Sequence, residues 1–159
     1  MTCTIISSGD ELHTLCRNEL EKPFFTIKTK VWDTVWNLYC RGYHSFYVNC
    51  DYGVPMWTAE FILSLKAGNP IELHIMTPYE EQTTEWAEDL RDRYFNIHAQ
   101  ADSVTLIQTQ YEPFCYQKTN EWMISESDIL VIFGEKDSIP PAEQFAKKRC
   151  IPIEYITIL

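Results

Sequence analysis

Ser45-Phe46-Tyr47-Val48-Asn49-Cys50-Asp51-Tyr52-Gly53-Val54 is the stretch on which the fold turns. Its first half, Ser45–Asn49, is aromatic and β-branched and predicts a strand. A short polar loop with one glycine follows, and the chain then enters a helical pattern from about Val54 to Ala67, closed by Gly68. A strand that feeds directly into a helix is half of a βαβ unit. Outward from this segment the same alternation recurs. Apolar runs fall at Thr2–Ser7, Ile71–Met76, Ser103–Gln108, Ile129–Phe133 and Ile153–Ile158. Helices are predicted between them over Thr26–Arg41, Thr84–His98, Phe114–Glu126 and Pro140–Arg149. In the first, Val31, Val35 and Leu38 form a stripe with Trp32, Trp36 and Tyr39 beside it. In the second, Trp86, Leu90, Tyr94 and Ile97 face inward, and Asp89 and Arg93 pair on the outer side. Ile129-Leu130-Val131-Ile132-Phe133 is apolar at every position, as a central parallel strand requires. The expected fold over residues 1–159 is one Rossmann-like α/β domain, three layers around a mostly parallel sheet of about six strands.

Composition narrows the function classes. The 159 residues are 45% hydrophobic and 23% charged, with 13 basic against 23 acidic side chains and a net charge of −10. The one dense basic cluster, Lys147-Lys148-Arg149, is expected at a helix C-terminus, where it complements the macrodipole. Binding to nucleic acid normally needs a concentrated basic surface, so neither nucleic acid nor an anionic membrane is expected as a partner. The six cysteines make no CxxC pair and no grouping with zinc spacing, so no metal site is expected. The N-terminus lacks a basic start with an export-length apolar run, and no stretch of about 18 apolar residues occurs. A cytoplasmic setting with reduced thiols follows as the expectation. His13, His44, His74 and His98 are scattered, and no HExxH, GxSxG or GxxxxGK[ST] motif is present.

Ligands of open parallel α/β sheets bind outside the carboxyl ends of the strands. That rule selects the loops Ser7–Asp10, Asn49–Gly53, Thr77–Gln82, Gln108–Pro113 and Gly134–Ile139. At Asn49–Gly53, the N–H groups of a helix start favour an anion, and Gly53 lets one approach. Asp51 would repel a phosphate, and Asn49 or Asp51 could instead cap the free N–H groups. Glu60 could accept hydrogen bonds from a ribose or act as an acid/base, or simply be solvated. Cys50 at a helix start is a conceivable nucleophile, against the commoner buried, inert thiol. Asp128, on the opposite side of the sheet, reads as a structural turn residue.

Asn49-Cys50-Asp51-Tyr52-Gly53-Val54-Pro55-Met56-Trp57-Thr58-Ala59-Glu60 resembles the signature S-G-x-x-G-V-x-x-W-A-A-E of the YpsA-like family of the SLOG superfamily. Ile75 to Gln82 with Trp86 is similar to its I-T-P-F-x-E-Q-x-x-x-W. Tyr111-Glu112 with the later Asn120 resembles its R-P-Y-E and K-N segments, and Ser127-Asp128-Ile129-Leu130-Val131 its S-D-G-L-L-L. The resemblance implies a Rossmann-like fold and a nucleotide or nucleotide-derived ligand. Some superfamily branches cleave N-glycosidic bonds of nucleoside phosphates, and the DprA branch binds single-stranded DNA. Departures are local. Asn49-Cys50 replaces Ser-Gly and adds a Cβ where a phosphate would approach. Ser7-Ser8-Gly9-Asp10 has no Arg-Pro, and Asp137-Ser138-Ile139-Pro140-Pro141 stands in place of a late G-S-P or G-G-T. The P-G-G-x-G-T motif of the ribohydrolase branch is absent.

The expected activity is therefore binding or sensing of a nucleotide-type ligand such as ADP-ribose, NAD or a nucleoside phosphate, with no cofactor implied beyond it. Ser8, Gly9, Asn49, Asp51, Gly53 and Glu60 are expected to line the site, with Pro78, Tyr79 and Gly134 at its rim. One alternative is hydrolysis or transfer at a glycosidic bond with Glu60 as the catalytic carboxylate. Another is a degenerate domain kept as an interaction module, with Trp32, Trp36 and Trp57 at a protein interface such as that of a homodimer.

Overall fold

The structure, a computed structural model, describes residues 1–9 and 19–158. Asp10, His13 and Cys16 lie outside them. Six strands, β1 (Thr2–Ser7), β2 (Ser45–Val48), β3 (Glu72–Thr77), β4 (Ser103–Leu106), β5 (Ile129–Phe133) and β6 (Ile153–Ile156), form one sheet in the order β4-β3-β2-β1-β5-β6. Every pairing is parallel. This is a Rossmann-like α/β architecture. Among the described residues it carries five helices, α1 (Lys22–Cys40), α2 (Val54–Lys66), α3 (Glu88–Gln100), α4 (Cys115–Ser125) and α5 (Pro140–Lys148).

The strands' period of two sorts their side chains between two cores. Cys3 and Ile5 of β1, with Ile129, Val131 and Phe133 of β5, join Val31, Val35 and Leu38 of α1, Val54 and Ile62 of α2, and Tyr94 and Ile97 of α3. Ile6, Leu130 and Ile132 point the other way, onto Met123 and Ile124 of α4 and Ala142 and Ala146 of α5. The helices after β4 thus change faces. The chain starts at β1, moves out to β4, and returns to β5 on β1's free side. That reversal makes the carboxyl end of β1 the topological switch point.

Two elements differ from expectation. α1 begins at Lys22, four residues early, because Pro23 fits the first helical turn. α3 begins at Glu88 rather than Thr84, because residues 79–86 close tight turns, Gln82 N to Tyr79 O at 3.3 Å and Trp86 N to Thr83 O at 3.0 Å. Asp128 and Ser127 tie the opposite end of the sheet together. Asp128 Oδ2 accepts from Thr2 N at 2.8 Å. Ser127 Oγ donates to Met123 O at 2.8 Å, which leaves the Thr4 hydroxyl to donate to Ser127 Oγ at 2.6 Å. Among the described residues no helix is long and apolar enough to cross a membrane.

Candidate functional site

A cavity of about 340 Å³ opens at the switch point. Ile6, Ser7, Ser8 and Gly9 bring the end of β1 to it. Asn49, Asp51, Tyr52 and Pro55 bring the β2–α2 turn, and Tyr116 and Asn120 reach in from α4 on the other face. Of the residues expected from sequence, Ser8, Gly9, Asn49 and Asp51 meet here. Tyr52, Pro55 and Tyr116 had no sequence signal beyond their nearness to an expected loop or helix start. Asn120 did have one, the asparagine of the resembling K-N segment. Its Oδ1 is shut off from solvent and has no hydrogen-bond partner. A buried acceptor left unmade costs about 1–3 kcal/mol. Thr58 Oγ1 and Gln82 Nε2 are likewise unpartnered, but neither residue lines the cavity.

The turn before α2 is tied from within, although no side chain caps the helix itself. Asn49 Oδ1 accepts from Asp51 N at 2.9 Å, and Asp51 Oδ1 accepts from Tyr52 N at 3.0 Å. Met56 N and Trp57 N close on Asp51 O and Gly53 O, each at 3.0 Å. Gly53 holds φ +97, a left-handed value that favours glycine. Cys50 also sits left-handed, at φ +56. Its side chain is buried in the core beneath α2 rather than lining the cavity. Its Cβ, expected from sequence where a phosphate would approach, therefore does not line the cavity; the side-chain oxygens of Asn49 and Asp51 take the N–H groups of Asp51 and Tyr52 there. Burial, reinforced by the charges of Glu60 and Asp51, drives the Cys50 thiol well above its ordinary pKa and favours the protonated form.

In the β5–α5 turn a carboxylate from the helix itself holds the loop. Glu143, 1% exposed, reaches back from the first turn of α5 to accept from Asp137 N at 2.9 Å, Ile139 N at 3.0 Å and the Tyr155 hydroxyl. Burial favours its neutral form, but these donors prevail and hold its carboxyl below the usual range. Gly134 packs directly against the end of β1. A Cβ there would lie 2.9 Å from the hydroxyls of Ser8 and Ser138 and 3.2 Å from Ser8 Cβ. It shapes the Ser8 loop from behind and does not itself line the cavity.

Glu60 stands elsewhere. Arg93 grips it with two parallel bonds, Nε to Oε1 at 2.7 Å and Nη2 to Oε2 at 2.9 Å. Arg93 Nη1 also donates to Glu19 Oε1 at 2.8 Å, which takes a further bond from Trp57 Nε1 at 3.2 Å, while Glu19 Oε2 receives Lys28 Nζ at 2.7 Å. Burial pushes the Glu19 carboxyl up, but the Arg93, Lys28 and Trp57 donors outweigh it and lower its pKa to about 2. Arg93, expected to pair with Asp89 on the outer face, is instead half-buried and spans α2 and α3. Glu60 lines a separate, smaller depression with Lys28, Trp32, Trp57, Phe61 and Ser64. Pro78 is buried, and Tyr79 stands one ring behind the cavity, edge-on to Tyr116 at 6.4 Å and to Tyr111 at 5.3 Å. Among the described residues no group of three His, Cys, Asp or Glu could hold a metal ion.

Comparison with known proteins places this geometry. The sequence pattern of the YspA SLOG family, YpsA, matches residues 11–157. The chain belongs to that family. A UPF0398 protein of Halalkalibacterium halodurans is 34% identical over 115 residues, covering 69% of this chain and 61% of that one. One of Brevibacillus brevis is 36% identical over 93 residues, 56% of this chain and 50% of its own length. The chain thus spans about half to three fifths of the curated relatives it matches. The fold is similar to that of DNA processing protein A from Helicobacter pylori, which binds single-stranded DNA. The TM-score is 0.64 at 15% identity, over 99% of this chain and 65% of that one. This corrects the expectation that nucleic acid is excluded as a partner. A single-stranded DNA-binding protein uses this same fold, and a net charge of −10 is a sum over the whole surface that says little about any one face.

Proposed function

We propose that this protein binds a nucleotide-type ligand in the cavity at the carboxyl ends of β1 and β2, presented free or as a unit of single-stranded nucleic acid. The observation that carries the reading is the cavity itself, which Asn49, Asn120, Ser7 and Ser8 line with amides and hydroxyls and Tyr52 and Tyr116 with rings. The family assignment and the switch-point position support it. Base and sugar match this wall, offering flat faces to its rings and donors and acceptors to its hydroxyls and amides. Binding fits better than glycosidic cleavage. Asp51 is the one carboxylate among the described lining residues, and Glu60 is held by Arg93 outside the cavity.

The test is a melting screen of the whole protein against nucleosides, nucleoside monophosphates, ADP-ribose, NAD and a short oligodeoxynucleotide. A true ligand at a hundred times its Kd stabilises by roughly 2.7 kcal/mol, about 5–10 °C for a chain of this size. Tyr116→Ala and Asn120→Leu should remove that shift while the far-ultraviolet spectrum is kept. A panel in which nothing raises Tm overturns the proposal, and the oligonucleotide arm separates the two forms of presentation.

A further inference from the structure

We propose that the outer face of α1 is a self-association surface, which packs antiparallel against α1 of a second copy of this chain about a two-fold axis between Thr29 and Trp32. The cavity is lined from other elements, and this surface is independent of the ligand reading above.

α1 is apolar on two sides. Phe24, Ile27, Val31, Val35 and Leu38 are buried in the core. About a third of a turn round the helix, Phe25, Trp32 and Trp36 stand 66%, 53% and 47% exposed. Trp57, expected beside them from sequence, is buried and takes no part. One exposed ring is ordinary, but three in a stripe are not, because a helix apolar on two sides normally has both covered. The rings are also held in place. Trp32 stacks on Phe61 of α2 at 5.2 Å and Trp36 on Tyr39 at 5.7 Å, so covering them costs little side-chain freedom.

The spacing of the stripe names the occupant. Phe25, Thr29, Trp32 and Trp36 fall at i, i+4, i+7 and i+11, the seam of a helix pair. Those intervals read the same in both directions. Turning the helix over about the midpoint of Thr29 and Trp32 therefore sets Phe25 of one copy against Trp36 of the other, and Thr29 against Trp32. The end layers set Lys22 against Tyr39, a cation against a ring. Small thus meets large. A hollow of about 210 Å³ is lined by Thr29 with Phe25, Lys28 and Trp32, and the second copy's Trp32 would enter it. A parallel pair would instead crowd Trp32 on Trp32, leave Thr29 facing Thr29 and align the two helix dipoles. The exposed parts of the three rings come to roughly 300 Å² per copy. A standard interface takes about 800 Å² from each partner, so the rings supply a large part of it and the flanks of α1 and α2 the remainder. That suits a reversible dimer rather than an obligate one. The net charge of −10 on each copy opposes pairing, but α1 carries Lys22, Lys28 and Lys30 against Asp33 and does not add to that repulsion.

Sedimentation velocity of the whole protein over a wide range of concentration tests this. A reversible monomer–dimer equilibrium is expected, and it should tighten as salt screens the net charge. Trp32→Ala and Thr29→Glu, both at exposed positions, should each weaken it by about tenfold or more while the far-ultraviolet spectrum is kept. The threonine matters only where a ring of the second copy enters beside it, which a merely adhesive tryptophan would not require. Tryptophan emission of the native protein should shift to the blue as concentration rises, a readout that needs no variant. A strict monomer throughout overturns the proposal, as does a dimer indifferent to either substitution. Binding of anionic lipid vesicles by a protein that stays monomeric in solution also overturns it, and assigns the stripe to a membrane surface.

Discussion

Three single positions set the shape of the edge where the cavity lies. Gly9 and Gly134 both hold backbone angles that L side chains rarely adopt, φ +77 and φ +154. They differ in surroundings. A Cβ on Gly9 meets nothing within 4 Å, whereas one on Gly134 would press on Ser8 and Ser138. Gly9→Ala should therefore cost only its strained conformation, about 1–2 kcal/mol. Gly134→Ala should cost that and about 1–3 kcal/mol more from crowding, with a correspondingly larger drop in Tm. Equal drops would show that the Ser8 loop yields without resistance. Cys50 is the third. The sequence marked it as an altered phosphate-loop position, and its left-handed φ of +56 is the conformation a glycine would take. What the sequence did not carry is the direction of its side chain, which the packing of α2 on β2 sends into the core.

At the scale of elements, the bridge from α2 to α3 is an ion-pair hub. Arg93 satisfies Glu60 and Glu19 together, and Trp57 and Lys28 complete the set. Arg93→Met should cost roughly 2–4 kcal/mol in urea unfolding, because it leaves the partly buried Glu60 without its cation and Glu19 with Lys28 alone. Glu60→Gln should cost less, as the amide still accepts one bond, and should leave nucleoside binding unchanged. A variant with normal stability and no ligand binding would return Glu60 to the site. Residue spacing made α2 and the place of Glu60 on it legible, since Trp57, Ala59 and Glu60 carry the family resemblance. The partner was not legible. Arg93 lies 33 positions away, and local spacing suggested Asp89 instead. Only the packing of α3 beside α2 decides which carboxylate it meets.

Over the whole molecule, depressed carboxylates set the acid limit. Glu19 titrates at about 2 in the folded chain against 4.5 when free, and Glu143 and Asp102 are also lowered, the last by Lys66 and Leu73 N against the opposing effect of burial. A lowered folded pKa adds stability that is present above the unfolded value and lost as pH falls through the folded one. Burial also lowers the His98 pKa from its usual 6.5, so stability should decline in two stages, below about 6.5 as the unfolded histidine takes up its proton and again from about 4.5 towards 2. In Glu19→Gln that second decline should be shallower and the pH 7 stability lower by roughly 2 kcal/mol. An unchanged acid limb would remove Glu19 from this account. At this scale the sequence by itself determined the fold class. Strand and helix periodicities are local properties of the chain, and apolar runs such as Ile129–Phe133 have few other ways to be buried. It also determined the edge on which a ligand sits, because the carboxyl ends of parallel strands follow from the βα alternation. The tertiary structure alone decided that Asn120 and Tyr116 cross to meet Ser8 and Asn49, that Glu60 turns to Arg93, and that Glu143 fills the start of α5. Each of these joins atoms through packing and hydrogen bonds whose geometry no pattern of neighbouring residues contains.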